Sequence, residues 1–132
     1  MRIIKFKDLK YTPASHEDLQ KPGVWKKVLL RKNDLVQGEI QMINWAKLPK
    51  GKSFSPHYHE DMEEVFIMLE GRVKIMVGEE TATLIKGDAI VIPAQQIHLM
   101  KNIGKSVVYY IALGISQGKN GKTVNVSTKN PF

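Results

Sequence analysis

Three of the chain's four histidines, His57, His59 and His98, fall within 51–102 and could share a metal ion. His57 and His59 are two residues apart, so their side chains point to the same face of an extended strand. Their Cα atoms would lie about 6.6 Å apart on an ideal strand. Both imidazoles could then reach one metal ion at roughly 2.0–2.1 Å each. The spacing therefore favours a shared metal site over two unrelated histidines.

Glu64 is the best-placed carboxylate beside these histidines. It opens an apolar run that continues to Leu69 and predicts a buried strand. An ionised carboxylate buried alone is costly, a penalty that a bound cation removes and an exposed position avoids. We therefore expect Glu64 to be a metal ligand, with Glu63 as the alternative if the strand register differs by one residue.

His98 begins a later strand. An apolar run ends at Pro93, which stops ladder pairing, and a short polar turn separates Pro93 from His98. His98 then alternates with Met100 and Asn102, so all three side chains can face the interior of a barrel. This alternation allows a third imidazole to join the first two.

Together, these residues resemble the two motifs of the cupin superfamily. The first motif consists of Gly51, His57, His59, Glu64 and Gly71, and the second of Gly87, Pro93, His98 and Asn102. The resemblance implies an all-β fold, a small double-stranded β-helix or jelly-roll barrel. It also implies one divalent metal ion per chain, held by His57, His59, Glu64 and His98.

Gln95 stands where the family pattern prefers glycine, two residues after Pro93. Glycine there would supply a positive φ in the turn, so Gln95 predicts a different turn. The orientation of His98, which follows this turn, is the part of the site that the sequence determines least.

Three imidazoles and one carboxylate suit Fe, Mn, Ni, Cu, Co or Zn as the divalent ion, and affinity alone does not choose among them. Four protein ligands leave two positions open on an octahedral metal, as a catalytic site requires.

The resemblance to metal-binding cupins favours a mononuclear non-haem dioxygenase-type oxidoreductase that acts on a small organic molecule, in which Glu64 also moves a proton. A metal-assisted isomerase or lyase and a non-catalytic module that binds or senses a small ligand are the alternatives. The expected pocket wall consists of Phe66, Met68, Met100 and either Tyr109 or Tyr110.

The composition argues against several other classes of function. The chain has no cysteine, which excludes disulfides and thiol catalysis and fits a reducing cytoplasm. No apolar run is long enough to predict a membrane span or a signal peptide. The net charge is +7, but the basic residues are scattered and accompany no nucleic-acid-binding motif. The charge instead predicts attraction of anionic substrates.

The 132 residues suit one domain, for which we expect an N-terminal arm or edge strand (1–23), a barrel (24–116) and a C-terminal tail packed on the barrel (117–132). Short apolar strands separated by Gly and Pro turns predict a sandwich or barrel. The strand from Gly38 to Lys47 has two interleaved faces, and its pattern does not decide which one points inward. Small cupins that resemble this chain pair through N-terminal strands, so the arm from Arg2 to Lys7 favours a homodimer.

Overall fold

The computed structural model describes residues 1–118, 121–127 and 131–132. Within these ranges the regular elements are β-strands, apart from 3₁₀ turns at Phe6–Asp8 and Lys32–Asp34, and no helix is long and apolar enough to cross a membrane. The strands are β1 (Arg2–Ile4), β2 (Thr12–Pro13), β3 (Trp25–Lys26), β4 (Glu39–Leu48), β5 (His57–His59), β6 (Met62–Glu70), β7 (Arg72–Val77), β8 (Glu80–Ile85), β9 (Ala89–Ile92), β10 (His98–Asn102), β11 (Val108–Ser116) and β12 (Thr123–Asn125). The predicted all-β class is confirmed.

Two antiparallel five-stranded sheets make up the barrel. The first has the order β1-β9-β6-β11-β4, and the second has the order β12-β5-β10-β7-β8. Most neighbours in these sheets are distant in sequence, as in a jelly roll. β2 and β3 pair with each other as a separate two-stranded sheet.

The core lies between the two sheets and is built from strands with alternating side chains. In β7, Val73, Ile75 and Val77 are buried, whereas Arg72 and Lys74 are exposed. This period of two sends every second side chain inward. The same cluster includes Phe66, Met68, Leu84, Ile90, Ile92, Met100 and Val108.

β4 has one face toward the core and the other toward solvent. Met42 and Ala46 pack against the core cluster, and Leu48 is buried within it. The opposite face carries Ile43 and Trp45, whose exposed fractions are 65% and 69%. The tertiary structure thus decides the orientation that the sequence pattern leaves open.

The N-terminal strand β1 pairs antiparallel with β9 of its own chain. Next to this pair, the buried Asp88 accepts hydrogen bonds from Lys5 Nζ and from the backbone N–H of Phe6, both at 3.0 Å. Burial raises the pKa of Asp88, but its backbone hydrogen bonds and Lys5 outweigh that effect and lower the pKa. β1 thus lies at the edge of the first sheet.

The C-terminal segment also contributes a strand. β12 pairs antiparallel with β5 and places Thr123 opposite His59. This pairing puts a residue of the predicted tail beside the histidine pair.

Candidate metal centre

The two sheets bring the four predicted ligands together. His57 and His59 lie on β5 and His98 begins β10, whereas Glu64 lies on β6 in the other sheet. His98 stands opposite His57 in the antiparallel pair of β5 and β10. One donor atom from each of the four residues lies within 4.8 Å of the others. The four side chains therefore form one compact donor cluster.

Contacts outside the cluster orient the imidazoles. Nδ1 of His57 and Nδ1 of His98 lie 2.8 and 2.9 Å from the backbone carbonyl oxygens two residues upstream. Since a carbonyl only accepts, both Nδ1 atoms carry a proton, and in the neutral ring Nε2 keeps its lone pair. His59 Nδ1 lies 3.0 Å from Thr123 Oγ1. Such partners fix the orientation of metal-binding histidines.

Burial favours the neutral form of one ligand. It lowers the pKa of His57, and the neighbouring His98 adds to this effect, although the Ser55 carbonyl opposes it. A neutral imidazole is the form that binds a metal, so no proton has to be displaced from this ring at neutral pH.

Glu64 lies at the centre of the cluster. Its Oε1 is 2.6 Å from Nε2 of His59 and 3.1 Å from Nε2 of His98. Burial raises the pKa of Glu64, but hydrogen bonds from the two histidines outweigh that effect and lower the pKa to about 2. The carboxylate is therefore ionised at neutral pH although the residue is buried.

A cation fits between these groups. With a proton on its Nδ1, the His98 ring donates from Nε2 to the Glu64 oxygen only when it carries a second proton. In the neutral ring, Nε2 and the carboxylate oxygen are both acceptors, and a cation between them can bind both. Cis ligands at about 2.1 Å from one ion are about 3 Å apart, close to the spacing found here. The donor set thus suggests a metal site that suits a divalent transition metal.

A cavity of about 300 Å³ lies beside the donor cluster. His57, His59 and Glu64 form part of its wall. The rest of the wall consists of Met42, Asn44, Ala46, Phe54, Phe66, Tyr110, Ala112 and Thr123. A small molecule in this cavity would therefore contact three of the four donor residues.

The predicted pocket wall is corrected by this structure. Phe66 lines the cavity, but Met68 and Met100 are fully buried in the core and do not. Tyr110 lines the cavity, whereas Tyr109 packs on the outer face against Trp45, with ring centroids 6.1 Å apart. Adjacent strand residues face opposite sides, so only one of the two tyrosines could reach the cavity.

Phe54 and Thr123 are wall residues that the sequence did not predict, and Tyr110 is one that it left open. The centroid of the Phe54 ring lies 5.3 Å from that of His57 and 6.0 Å from that of His98. Phe54 lies in a loop, where no periodic pattern could predict its orientation. Thr123 reaches the site only because β12 pairs with β5. Burial and then the charge of Glu64 raise the pKa of Tyr110 to about 12, which keeps its hydroxyl protonated.

Glu63, the alternative ligand, lies on the other face of β6. Its Oε1 accepts a hydrogen bond from the Val36 N–H at 3.4 Å. Burial raises the pKa of this carboxyl. The register of β6 therefore selects Glu64 for the donor cluster.

The turn before His98 differs from the prediction. Gln95 adopts φ +66°, the positive value that glycine would supply, so the prediction of a different turn was wrong. The Gln95 N–H donates to the His59 carbonyl oxygen at 2.7 Å. This bond ties the turn to β5 and offsets the strain of a positive φ in a residue with a Cβ atom.

We expect Gln95→Gly to leave the free energy of unfolding unchanged or to raise it by up to about 1 kcal/mol, and Gln95→Val to lower it by about 1–2 kcal/mol. Glycine tolerates a positive φ, whereas a β-branched residue does not. Urea unfolding at pH 7 measures both changes. The exposed strand residue Lys47 is the control, because there valine should be tolerated and glycine should destabilise. A marked loss of stability in Gln95→Gly would contradict this account.

The family of the chain follows from a comparison with known proteins. A family model described as "Cupin domain" matches residues 44–114, which is more than half of the chain. The chain is a cupin. An uncharacterized protein of Methanocaldococcus jannaschii, MJ1618, is 34% identical over 104 residues, which cover 79% of this cupin and 79% of that protein.

Solved structures share the fold of this cupin. An oxalate oxidase superposes with a TM-score of 0.58 at 22% identity, covering 64% of this cupin and 45% of that chain. A sugar phosphate isomerase of the cupin superfamily from Silicibacter pomeroyi superposes with a TM-score of 0.52 at 20% identity, covering 57% of this cupin and 50% of that chain. The matched region is thus half or less of those two chains, and likeness at this identity establishes the fold alone.

Proposed function

We propose that this cupin is a metal-dependent enzyme that acts on a small organic molecule, a mononuclear non-haem dioxygenase-type oxidoreductase of the cytoplasm. The observation that carries the proposal is a cavity lined by His57, His59 and the ionised Glu64, three members of a largely buried cluster of three imidazoles and one carboxylate. Purely structural metal sites are normally closed off by protein, whereas catalytic sites keep room for a substrate. A divalent metal in this cluster would supply Lewis acidity and a redox centre.

The residues of the chain have distinct roles in this proposal. His57, His59, His98 and Glu64 hold the metal. Glu64 also lines the cavity, and in this proposal its carboxylate moves a proton of a substrate held there. The aromatic rings of Phe54 and Phe66, 6.3 Å apart, exclude water from one side of the cluster and so strengthen electrostatic contacts there.

The likeness to an oxalate oxidase supports redox chemistry, and the likeness to a sugar phosphate isomerase supports metal-assisted isomerisation or lyase action as the alternative. A third possibility is a module that binds or senses a small ligand without converting it. One barrel can host all three functions, so the site has to be tested directly.

Oxygen consumption and product formation distinguish these functions. The metal-loaded protein is incubated with small phenols, carboxylates and sugars under air and under argon, and mass spectrometry follows the products. An oxidoreductase of this type forms product only under air, and Glu64→Gln abolishes its formation. The matched control is Glu79→Gln, which changes an exposed carboxylate. Product formed under argon would favour an isomerase or lyase, and tight binding without product would favour the binding module.

We further propose that the protein is a homodimer that associates through β4. β4 lies at the edge of its sheet in the part of the chain that the structure describes. Such an edge presents unpaired backbone groups that can pair with another strand. Ile40, Ile43 and Trp45 on this strand are all more than 60% exposed. A second copy would cover these side chains and extend the sheet.

We expect a light-scattering mass near twice the 15.0 kDa of one chain, and a mass near that of one chain for Trp45→Lys. A lysine in the centre of the contact would be buried without a partner and would oppose association. Trp25→Lys is the control, because Trp25 is also exposed but lies on β3. A wild-type mass near that of one chain would contradict the proposal.

A further inference from the structure

The charge of the cavity beside the donor cluster limits what it can bind. The only acidic residue in its wall is Glu64, and no lysine or arginine lies there among the described residues. The chain contains 20 lysines and arginines. Three of them, Lys26, Lys27 and Lys86, instead line a separate cavity beside Phe6. The net positive charge of the chain is therefore not directed at the donor cluster.

A charge count at the cluster follows from its donors. A divalent cation carries two positive charges, a carboxylate that binds it carries one negative charge, and imidazoles bind it in their neutral form. The centre would thus have one net positive charge. One negative charge on a ligand neutralises it, whereas a second would remain uncompensated in a mostly apolar cavity, which is unfavourable.

The walls of the cavity determine the body of the ligand. Six of the lining residues have apolar or aromatic side chains: Met42, Ala46, Phe54, Phe66, Tyr110 and Ala112. The Phe66 ring stands edge-on to the Phe54 ring, with ring centroids 6.3 Å apart, and is tilted against the Tyr110 ring, with ring centroids 5.1 Å apart. Outside the donor cluster, the polar groups are the Tyr110 hydroxyl, Asn44 and Thr123, and Thr123 already contacts His59.

We propose that this cavity takes a small ligand with an apolar, aromatic-sized body and at most one negative charge, and that it discriminates against dianions such as phosphate monoesters. The inference rests on the proposed metal site and narrows its substrate class. It also replaces the prediction, drawn from the net charge, that anionic substrates are favoured in general.

Three probes separate the charge of the ligand from its body. Benzoate has an apolar ring and one negative charge, phenyl phosphate has the same ring and nearly two, and glycolate has the charge of benzoate without the ring. The protein is loaded with Zn(II), which is redox-inert, and the bound zinc is quantified before calorimetric titration with each probe. We expect benzoate to bind at least tenfold more tightly than phenyl phosphate and at least tenfold more tightly than glycolate.

Asn44→Arg tests the charge argument directly. Asn44 is exposed at the cavity wall, so an arginine there can reach the ligand without disturbing the core. We expect this variant to bring the affinity for phenyl phosphate to within about threefold of that for benzoate, and Asn44→Gln to leave the wild-type difference unchanged. An Asn44→Arg protein with the wild-type difference would overturn the charge argument.

The outcomes distinguish this inference from the proposal on which it rests. Absence of bound zinc overturns the metal site and the inference with it. Bound zinc together with phenyl phosphate or glycolate binding as tightly as benzoate overturns the inference alone. Bound zinc with no measurable binding of any probe would also overturn the inference and leave the metal site standing.

Discussion

Protein purified without chelating steps and loaded with a divalent transition metal should bind about one ion per chain, and His98→Ala should lower the affinity at least about 100-fold. Loss of a partner that only orients a ligand already costs about 10–100-fold in affinity, and His98 would be a ligand itself. Its ring is 1% exposed, and its Nε2 faces Glu64 at 3.1 Å. Elemental analysis after dialysis gives the stoichiometry, and competition with a chelator gives the affinity.

His16→Ala is the matched control for this experiment. The His16 side chain is 72% exposed, and its only described ionic contact is with Glu17. The substitution should therefore leave the metal content unchanged. Circular dichroism shows whether His98→Ala keeps its strands. A folded His98→Ala protein with wild-type affinity would contradict the four-ligand site. Iron, manganese, nickel or copper as the resident metal would support redox chemistry, whereas zinc alone would weaken the dioxygenase proposal.

Asn102→Ala should lower the free energy of unfolding by about 3 kcal/mol. Asn102 is 1% exposed and closes the turn after β10. Its Nδ2 donates to the carbonyl oxygens of Leu48 and Ser106 at 2.9 and 2.8 Å, and its Oδ1 accepts from the Gly104 N–H at 2.9 Å. Alanine would leave these backbone groups without their partner, and each buried unsatisfied group costs about 1–3 kcal/mol.

Urea unfolding at pH 7, followed by circular dichroism, measures the effect of Asn102→Ala. Asn44→Ala is the control, because Asn44 is exposed and its side-chain amide makes one hydrogen bond among the described residues, to the Met42 sulfur at 3.3 Å. We expect that control to change the stability by less than about 0.5 kcal/mol. A similar small change in Asn102→Ala would show that the three hydrogen bonds are replaced by water.

The sequence supports the family and the fold because its signals are local. Two histidines separated by one residue share a strand face wherever the strand lies, and Glu64 at the head of an apolar run must be neutralised or exposed. The other motif positions within 51–102 add glycines and a proline at the turns and a third histidine at the start of a strand. The same local reasoning failed at Gln95, where the hydrogen bond to His59 holds a backbone angle that the residue type alone does not favour.

By itself, the sequence determined which residue types could hold a metal, since these follow from spacings along single strands. Short strands between Gly and Pro turns, together with the resemblance to the cupin motifs, indicated the all-β barrel. Only the tertiary structure decided which neighbours complete the site. Tyr110 rather than Tyr109 faces the cavity because β11 pairs with β4 and β6 in one particular register. Phe54 packs against His98, and Thr123 contacts His59, through contacts between segments distant in the chain. A period of two identifies the two faces of a strand, but long-range pairing chooses which of them meets the cavity.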